Sequence, residues 1–224
     1  MRLGLHGLGG RDASAAPWSG LIAALGEGAA VVAQGGRCDA RLVCGGLPGA
    51  EGEMIVAFAR GGGPVLGVGD GFQALCALGL LPGRVAALAE DAGGPLDAHV
   101  RVEGRATPFT SAIPAGRVMS LDGATAVGLR YDVGEPDALE ARGQVIFRYC
   151  DAAGGLLSRP TANQAAQLPL TSVPLIAPRE RARLIAGVCG EAGNVVGVLA
   201  AAEAVAGIAA QLLASLRLHL GGRR

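Results

Sequence analysis

The chain has 224 residues, half of them hydrophobic and 17% charged, with a mean hydropathy of +0.41, which excludes disorder for most of its length and fits one α/β domain, residues 1–224. Its 19 basic and 19 acidic residues cancel, and no basic block precedes the terminal "GGRR", so neither nucleic acid nor an anionic membrane surface is an expected partner. All the basic residues are Arg, which with 38 Gly reads as the coding bias of a GC-rich genome rather than as a functional signal.

In chain order, "LGLH" at 3–6, "AAVVAQ" at 29–34, "ARLVC" at 40–44 and "GPVLGV" at 63–68 are candidate strands. Between them "PWSGLIAALGE" and "GEMIVAFARGG" have helical spacing and end near glycine. That alternation predicts βαβ units and a parallel sheet. The second half changes character. "AHVRVEG", "GRVMSLDG", "TAVGLRYDVG", "QVIFRYCDAAG" and "ARLIAGVCGEAGNVVGVLA" are strand-like and separated by turn signals, with "GEAGN" as a hairpin turn. In the fourth of these, Val145, Phe147 and Tyr149 fall on one face and Ile146, Arg148 and Cys150 on the other. Four of the twelve prolines lie in 157–180, which predicts an irregular excursion.

The apolar stretch "VVGVLAAAEAVAGIAAQLLASL" is long enough to raise a membrane span, but Glu203 and Gln211 interrupt it; a buried strand followed by a helix from near Ala202 to Leu220 is the expectation. The start "MRLGLHGLGG" has too short an apolar run for a signal peptide, so a cytoplasmic location with reduced thiols is expected. Five cysteines without a CxxC pair predict neither a disulfide framework nor a zinc site, and no cofactor is expected.

"GPVLGVGDGFQALCALGLLPG" at 63–83 carries the chemistry-bearing signal: a strand, a glycine turn and a helix, the shape of a nucleophile elbow. An elbow displays one Ser or Cys between small residues. Here the flanks are Gly67 and Gly71, and the displayed position is Gly69, which has no side chain.

Four separated motifs, "PVLGVGDGFQALCALGLLPG", "TPFTS" at 107–111, "GQVIFRYCDAAG" at 143–154 and "IAGVCGEAGNVVGVL" at 185–199, resemble in order and spacing the glutaminase subunit of phosphoribosylformylglycinamidine synthase. The resemblance runs from about residue 1 to about residue 215 and is weakest over the first 60. It implies a three-layer, flavodoxin-like class I glutamine amidotransferase fold: a mixed, mostly parallel sheet, helices on both faces, and a β extension from the second half. It also implies a reaction of purine biosynthesis, in which a Cys attacks the glutamine amide and a His manages the proton. A Glu orients that His, and backbone amides of a Gly-Gly loop hold the oxyanion.

Against that pattern, Gly69 stands at the Cys position of a G-I-C-N-G-F-Q elbow, and "LAAAEAV" puts Ala201 at the His position while keeping Glu203. The Gly-Gly loop is shortened to Gly45-Gly46-Leu47-Pro48-Gly49, Asp122–Thr125 replaces an "HGEG"-like stretch, and an "NPNGS"-like loop has no counterpart in 157–180. The pocket remnant is Gly45, Gly46, Asp70, Gly71 and Gln73. The implied protein is a catalytically degenerate subunit kept for assembly with, or regulation of, a synthetase partner. One alternative is an active amidotransferase with a site rebuilt from Cys44 and His6, which both end strands at the functional edge of the sheet. Another is a small-molecule binder on the old pocket, because "GVGDG" offers amides and a helix dipole without being a dinucleotide fingerprint. Cys76 reads as core, Asp70 as a carboxylate at the helix N-terminus facing free amides, and His99 and His219 as residues whose partners the sequence does not reveal.

Overall fold

The apolar runs up to residue 68 become parallel strands, and those that follow become antiparallel ones apart from the pairing of the last strand with the fourth. A computed structural model describes residues 1–7, 30–32, 36–47, 49–87, 95–125, 129–132, 136–155, 185–200 and 202–222. Its strands are β1 (Arg2–His6), β2 (Ala30–Val32), β3 (Ala40–Val43), β4 (Val65–Val68), β5 (Arg84–Ala87), β6 (Pro95–Val102), β7 (Val118–Thr125), β8 (Leu129–Asp132), β9 (Val145–Cys150), β10 (Ile185–Cys189) and β11 (Val195–Val198). Its helices are α1 (Gly49–Arg60), α2 (Asp70–Ala77), α3 (Pro136–Ala141) and α4 (Ala202–Gly221). The expected helix at 17–27, the 157–180 segment and Ala201 lie outside the described residues.

Among the described residues nine strands form one sheet in the order β2-β1-β3-β4-β11-β10-β9-β6-β7. From β2 to β11 neighbouring strands are parallel, and from β11 to β7 they are antiparallel. The β extension of the second half therefore continues the central sheet. β5 and β8 pair separately as a short antiparallel ribbon. β5 and α3 were not expected, being too short to show a period.

Strand β4 is buried along its whole length, as a parallel strand covered on both faces must be. Leu66, Val68, Val196 and Val198 share one core with Leu3, Leu5 and Leu42. Into that core α4 inserts Val205, Ile208, Ala209, Leu212, Leu213 and Leu216, the three-and-four spacing of one helix face. On the other side Ile55 and Ala59 of α1, with Phe72 and Leu75 of α2, pack on Val43, Val65 and Val195. Helices thus cover both faces, each fully buried Leu, Val or Phe stabilising by about 1.5–3 kcal/mol. Close packing here needs glycine: a Cβ on Gly197 would lie 1.9 Å from Cδ2 of Phe72.

The "GEAGN" turn joins β10 to β11, closed by Gly190 and Gly193, whose φ of 77° is in the left-handed region. Asn194 then donates from Nδ2 to the carbonyls of Ala59 and Gly63, at 2.8 and 2.9 Å, clamping the C-terminal end of α1. In β9 both faces are buried, Arg148 included. Its guanidinium lies 2.8 Å from Glu140 and 3.6 Å from Glu103. Alternation of polar and apolar residues marks no solvent face in that strand. "TPFTS" is a buried turn: the Thr107 and Thr110 hydroxyls bond each other at 2.8 Å, and Phe109 enters the core. Among the described residues no helix is long and apolar enough to cross a membrane.

Candidate functional site

Strand β4 leads through Gly69 directly into α2, and that turn has the elbow geometry. Gly69 caps α2 with φ 56° and ψ −117°, a conformation L side chains rarely adopt. Its N–H donates to the carbonyl of Val198 at 3.2 Å, while its own carbonyl accepts from Phe72 and Gln73. Among the described residues a Cβ placed on Gly69 would meet one atom within 4 Å, the carbonyl oxygen of Ala200 at 3.3 Å. The described residues leave space for a side chain there.

The flanking glycines are there for the opposite reason. A Cβ on Gly71 would lie 1.9 Å from the carbonyl oxygen of Val43, and one on Gly67 would lie 2.5 Å from Cδ1 of Leu75 and 2.9 Å from the Gly71 carbonyl. The first turn of α2 therefore sits on the C-terminal end of β3, as the small flanks of an elbow require. Asp70 opens the helix and is exposed, placing a carboxylate at the N-terminal end of α2, and Gln73 is exposed one turn on.

Three consecutive carbonyls, at the last residue of β11 and the two that follow it, face this turn or are held beside it. Val198 accepts from Gly69, Leu199 accepts from the buried hydroxyl of Tyr149, and Ala200 borders the empty Cβ position. The sequence does not reveal the Tyr149 bond, because its partner lies 50 residues away. Glu203 lies in the first turn of α4.

The Gly45–Gly46 turn leaves β3 beside the end of β1. Gly7 and Gly45 touch along their backbones, a Cβ on Gly45 falling 2.2 Å from the Gly7 carbonyl, whereas Gly46 is exposed and a Cβ on it would meet no described residue within 4 Å. His6 ends β1 fully buried. Its Nδ1 lies 3.0 Å from Oε1 of Glu51 on α1, and its Nε2 lies 2.7 Å from Nη1 of Arg41 on β3. Since guanidinium can only donate, Nε2 accepts and Nδ1–H donates to Glu51, so the ring is the neutral Nδ1–H tautomer. Burial pushes the His6 pKa below its usual value, Glu51 opposes that through its hydrogen bond, and the Arg41 charge reinforces it.

His6 ends β1, and Cys44 lies one residue beyond the end of the neighbouring β3, but they are not assembled as a catalytic pair. His6 is in register with Val43, so Cys44 comes one residue later and packs in the opposite core with Leu3, Leu5 and Leu42. Burial also raises the Cys44 thiol far above the usual range. Cys76 is half-buried, its thiol pushed up to about 12 by burial, and its sulfur contacts the Pro82 carbonyl at 3.7 Å. Among the described residues no group of three or more His, Cys, Asp or Glu could hold a metal ion.

No protein-family model matches the chain. It is 38% identical over 180 residues to phosphoribosylformylglycinamidine synthase subunit PurQ of Symbiobacterium thermophilum, covering 76% of this chain and 69% of that one. The subunit of the same name from Nitrobacter winogradskyi is 38% identical over 149 residues, and the matched part spans 57% of its length. Among solved structures, a chain of PurLQS from Thermotoga maritima superposes with a TM-score of 0.64 over 98% of both chains, at 19% identity. The same three-layer arrangement recurs in a solved glutamine amidotransferase.

Proposed function

The chain belongs to the PurQ family of phosphoribosylformylglycinamidine synthase subunits, and from that premise we propose that it is a glutaminase-like subunit that does not hydrolyse glutamine. We further propose that it serves as a structural or regulatory partner of a cytoplasmic purine-pathway synthetase subunit. The observation that carries this reading is Gly69. The turn has the strained conformation that an elbow reserves for its nucleophile, with room among the described residues for a side chain, and the residue there has none. A thiolate, the group that would attack the amide, is missing where the family pattern puts it. The same pattern puts Ala201 at the general base, which leaves Glu203 without an imidazole to orient.

Loss of hydrolysis leaves the frame intact. The elbow turn, the Tyr149 hydroxyl on Leu199 and the core under α4 all persist. A fold kept in this detail without its nucleophile supports a role read out through its surface. PurLQS names an assembly in which the related chain of Thermotoga maritima was solved, and a synthetase subunit is the partner proposed here.

The test is glutamate release from glutamine by the purified protein, alone and with the synthetase subunit of the same organism, together with size-exclusion chromatography of the mixture. We expect co-elution and no glutamate above the uncatalysed background. Glutamate release in either arm would overturn the silent-subunit reading, and failure to co-elute would overturn the partner.

A further inference from the structure

Gly4, in the middle of β1, has an ordinary strand conformation and no positive φ that would call for glycine. What it provides is room. A Cβ there would lie 3.0 Å from His6 Nε2, 3.4 Å from Cys38 Sγ and 3.6 Å from Arg41 Cγ, so three side chains share the gap that glycine leaves. We propose that this gap is a thiol-modification site, in which Cys38 forms a mixed disulfide with an anionic low-molecular-weight disulfide of the glutathione type. The site stands whether or not the protein hydrolyses glutamine.

Arg41, His6 and Glu51 form the row that prepares the thiol. Glu51 Oε1 accepts from His6 Nδ1 at 3.0 Å and from the Gly7 N–H at 3.1 Å, which fixes the ring with Nε2 toward Gly4. A thiol beside an imidazole that a carboxylate orients is the arrangement that makes cysteine a nucleophile. Arg41 Nη1 donates to the same Nε2 at 2.7 Å. Arg41 is only 7% exposed, and its Nε is buried with no hydrogen-bond partner among the described residues. A guanidinium bordering the gap favours the anionic sulfur over the thiol, and its unsatisfied N–H lacks the acceptor that an anion supplies. Asp39 holds the thiol in place: its N–H donates to the Arg2 carbonyl at 2.8 Å, and its carboxylate accepts from the Arg2 N–H at 2.7 Å.

Cys44, Cys150 and Cys189 are buried, whereas Cys38 and Cys76 are half-buried. Of those two, Cys76 has its thiol pushed up to about 12 by burial, and Cys38 has the imidazole and the guanidinium beside it. Arg37 precedes Cys38 and is exposed, and strand alternation puts the exposed Arg2 on the same face of β1 as Gly4 and His6. Three guanidiniums against the engaged carboxylates of Asp39 and Glu51 give the gap a positive balance, which selects an anionic disulfide.

In the exchange the Cys38 proton passes to His6 Nε2 and the sulfur attacks one sulfur of the small disulfide. The new S–S bond forms as the old one breaks, and the departing thiolate takes the proton from His6. Cys38 is oxidised and the small disulfide reduced, giving one mixed disulfide and one free thiol. Imidazolium and thiolate form together, so the charge of the gap does not change on the way.

The test treats the full chain with glutathione disulfide at pH 7.5, folded and unfolded in urea, and quantifies the mixed disulfide on each cysteine by mass spectrometry. Cys38 should react roughly twofold or more faster in the folded chain than in the unfolded one, the reverse of the protection that partial burial alone gives. Cystamine, a cationic disulfide, should show a folded-to-unfolded ratio roughly threefold or more lower at low ionic strength, the difference closing with added salt. His6→Gln, which keeps an acceptor but no base, should abolish the gain. Slower reaction of Cys38 in the folded chain, modification of Cys76 ahead of it, equal ratios for the two disulfides, or the same gain in His6→Gln would each overturn the site. Should His6→Gln fail to fold, the comparison of the two disulfides on the wild-type chain decides.

Discussion

Replacing each elbow glycine by alanine separates the two reasons glycine is found there. At Gly71 an added Cβ would sit 1.9 Å from the Val43 carbonyl oxygen, about 1.5 Å inside ordinary contact, and the obstacle is strand backbone that cannot swing away. Overpacking of this kind costs about 1–3 kcal/mol and more when a backbone must move, so Gly71→Ala is expected to lose about 3 kcal/mol or more. At Gly69 the nearest described atom is at 3.3 Å and the cost is conformational. Strain of about 1–3 kcal/mol for a side chain at this φ and ψ is partly offset by about 0.4–1 kcal/mol from stiffening the unfolded chain, leaving about 1–2 kcal/mol. Urea unfolding at a slope of about 2 kcal/mol per molar should place the two midpoints roughly 1 M apart, with Gly71→Ala the lower. A Gly69→Ala protein as unstable as Gly71→Ala, or more so, would refute the elbow geometry.

Gly69→Cys should fold with a similar loss of about 1–2 kcal/mol yet release no glutamate from glutamine, since a thiol without a base is not activated; turnover by this single variant would contradict the placement of Ala201 at the base position. Tyr149→Phe removes the donor on the Leu199 carbonyl and should destabilise by about 1–2 kcal/mol in urea or thermal melts, and an unchanged midpoint would show that the bond contributes nothing. Asn194→Ala leaves the Ala59 and Gly63 carbonyls without their shared donor, so a loss of about 2 kcal/mol or more is expected, with faster amide exchange at the C-terminal end of α1. An effect confined to the β10–β11 turn would argue against the clamp.

The sheet was legible wherever burial writes itself as an apolar run. β1, β3, β4 and the β10–β11 hairpin lie where "LGLH", "ARLVC", "GPVLGV" and the "GEAGN" turn predict them. β5 and α3, at four and six residues, are too short to carry a period. The elbow was legible because glycine spacing is a backbone signal, and backbone needs set the residues there. The His6 row was not. Its members are 35 and 45 residues from His6 in sequence, and only strand register decides which face they share. The expectation that Cys44 would meet His6 took both to the same end of the sheet but missed that parity, one residue sending the thiol into the other core.

The placement of β11 between β4 and β10 carries a consequence for synthesis. Val65 finds its partner in Val195, about 130 residues later. At roughly 5–20 residues per second a ribosome needs about 6–26 s to cover that distance. Throughout that interval β4, wholly apolar in "VLGV", offers one open edge to any extended chain nearby. The nascent protein is thus most prone to aggregate midway through translation, and a chain stalled before Val195 should partition with chaperones or into inclusion bodies even though its first four strands are complete.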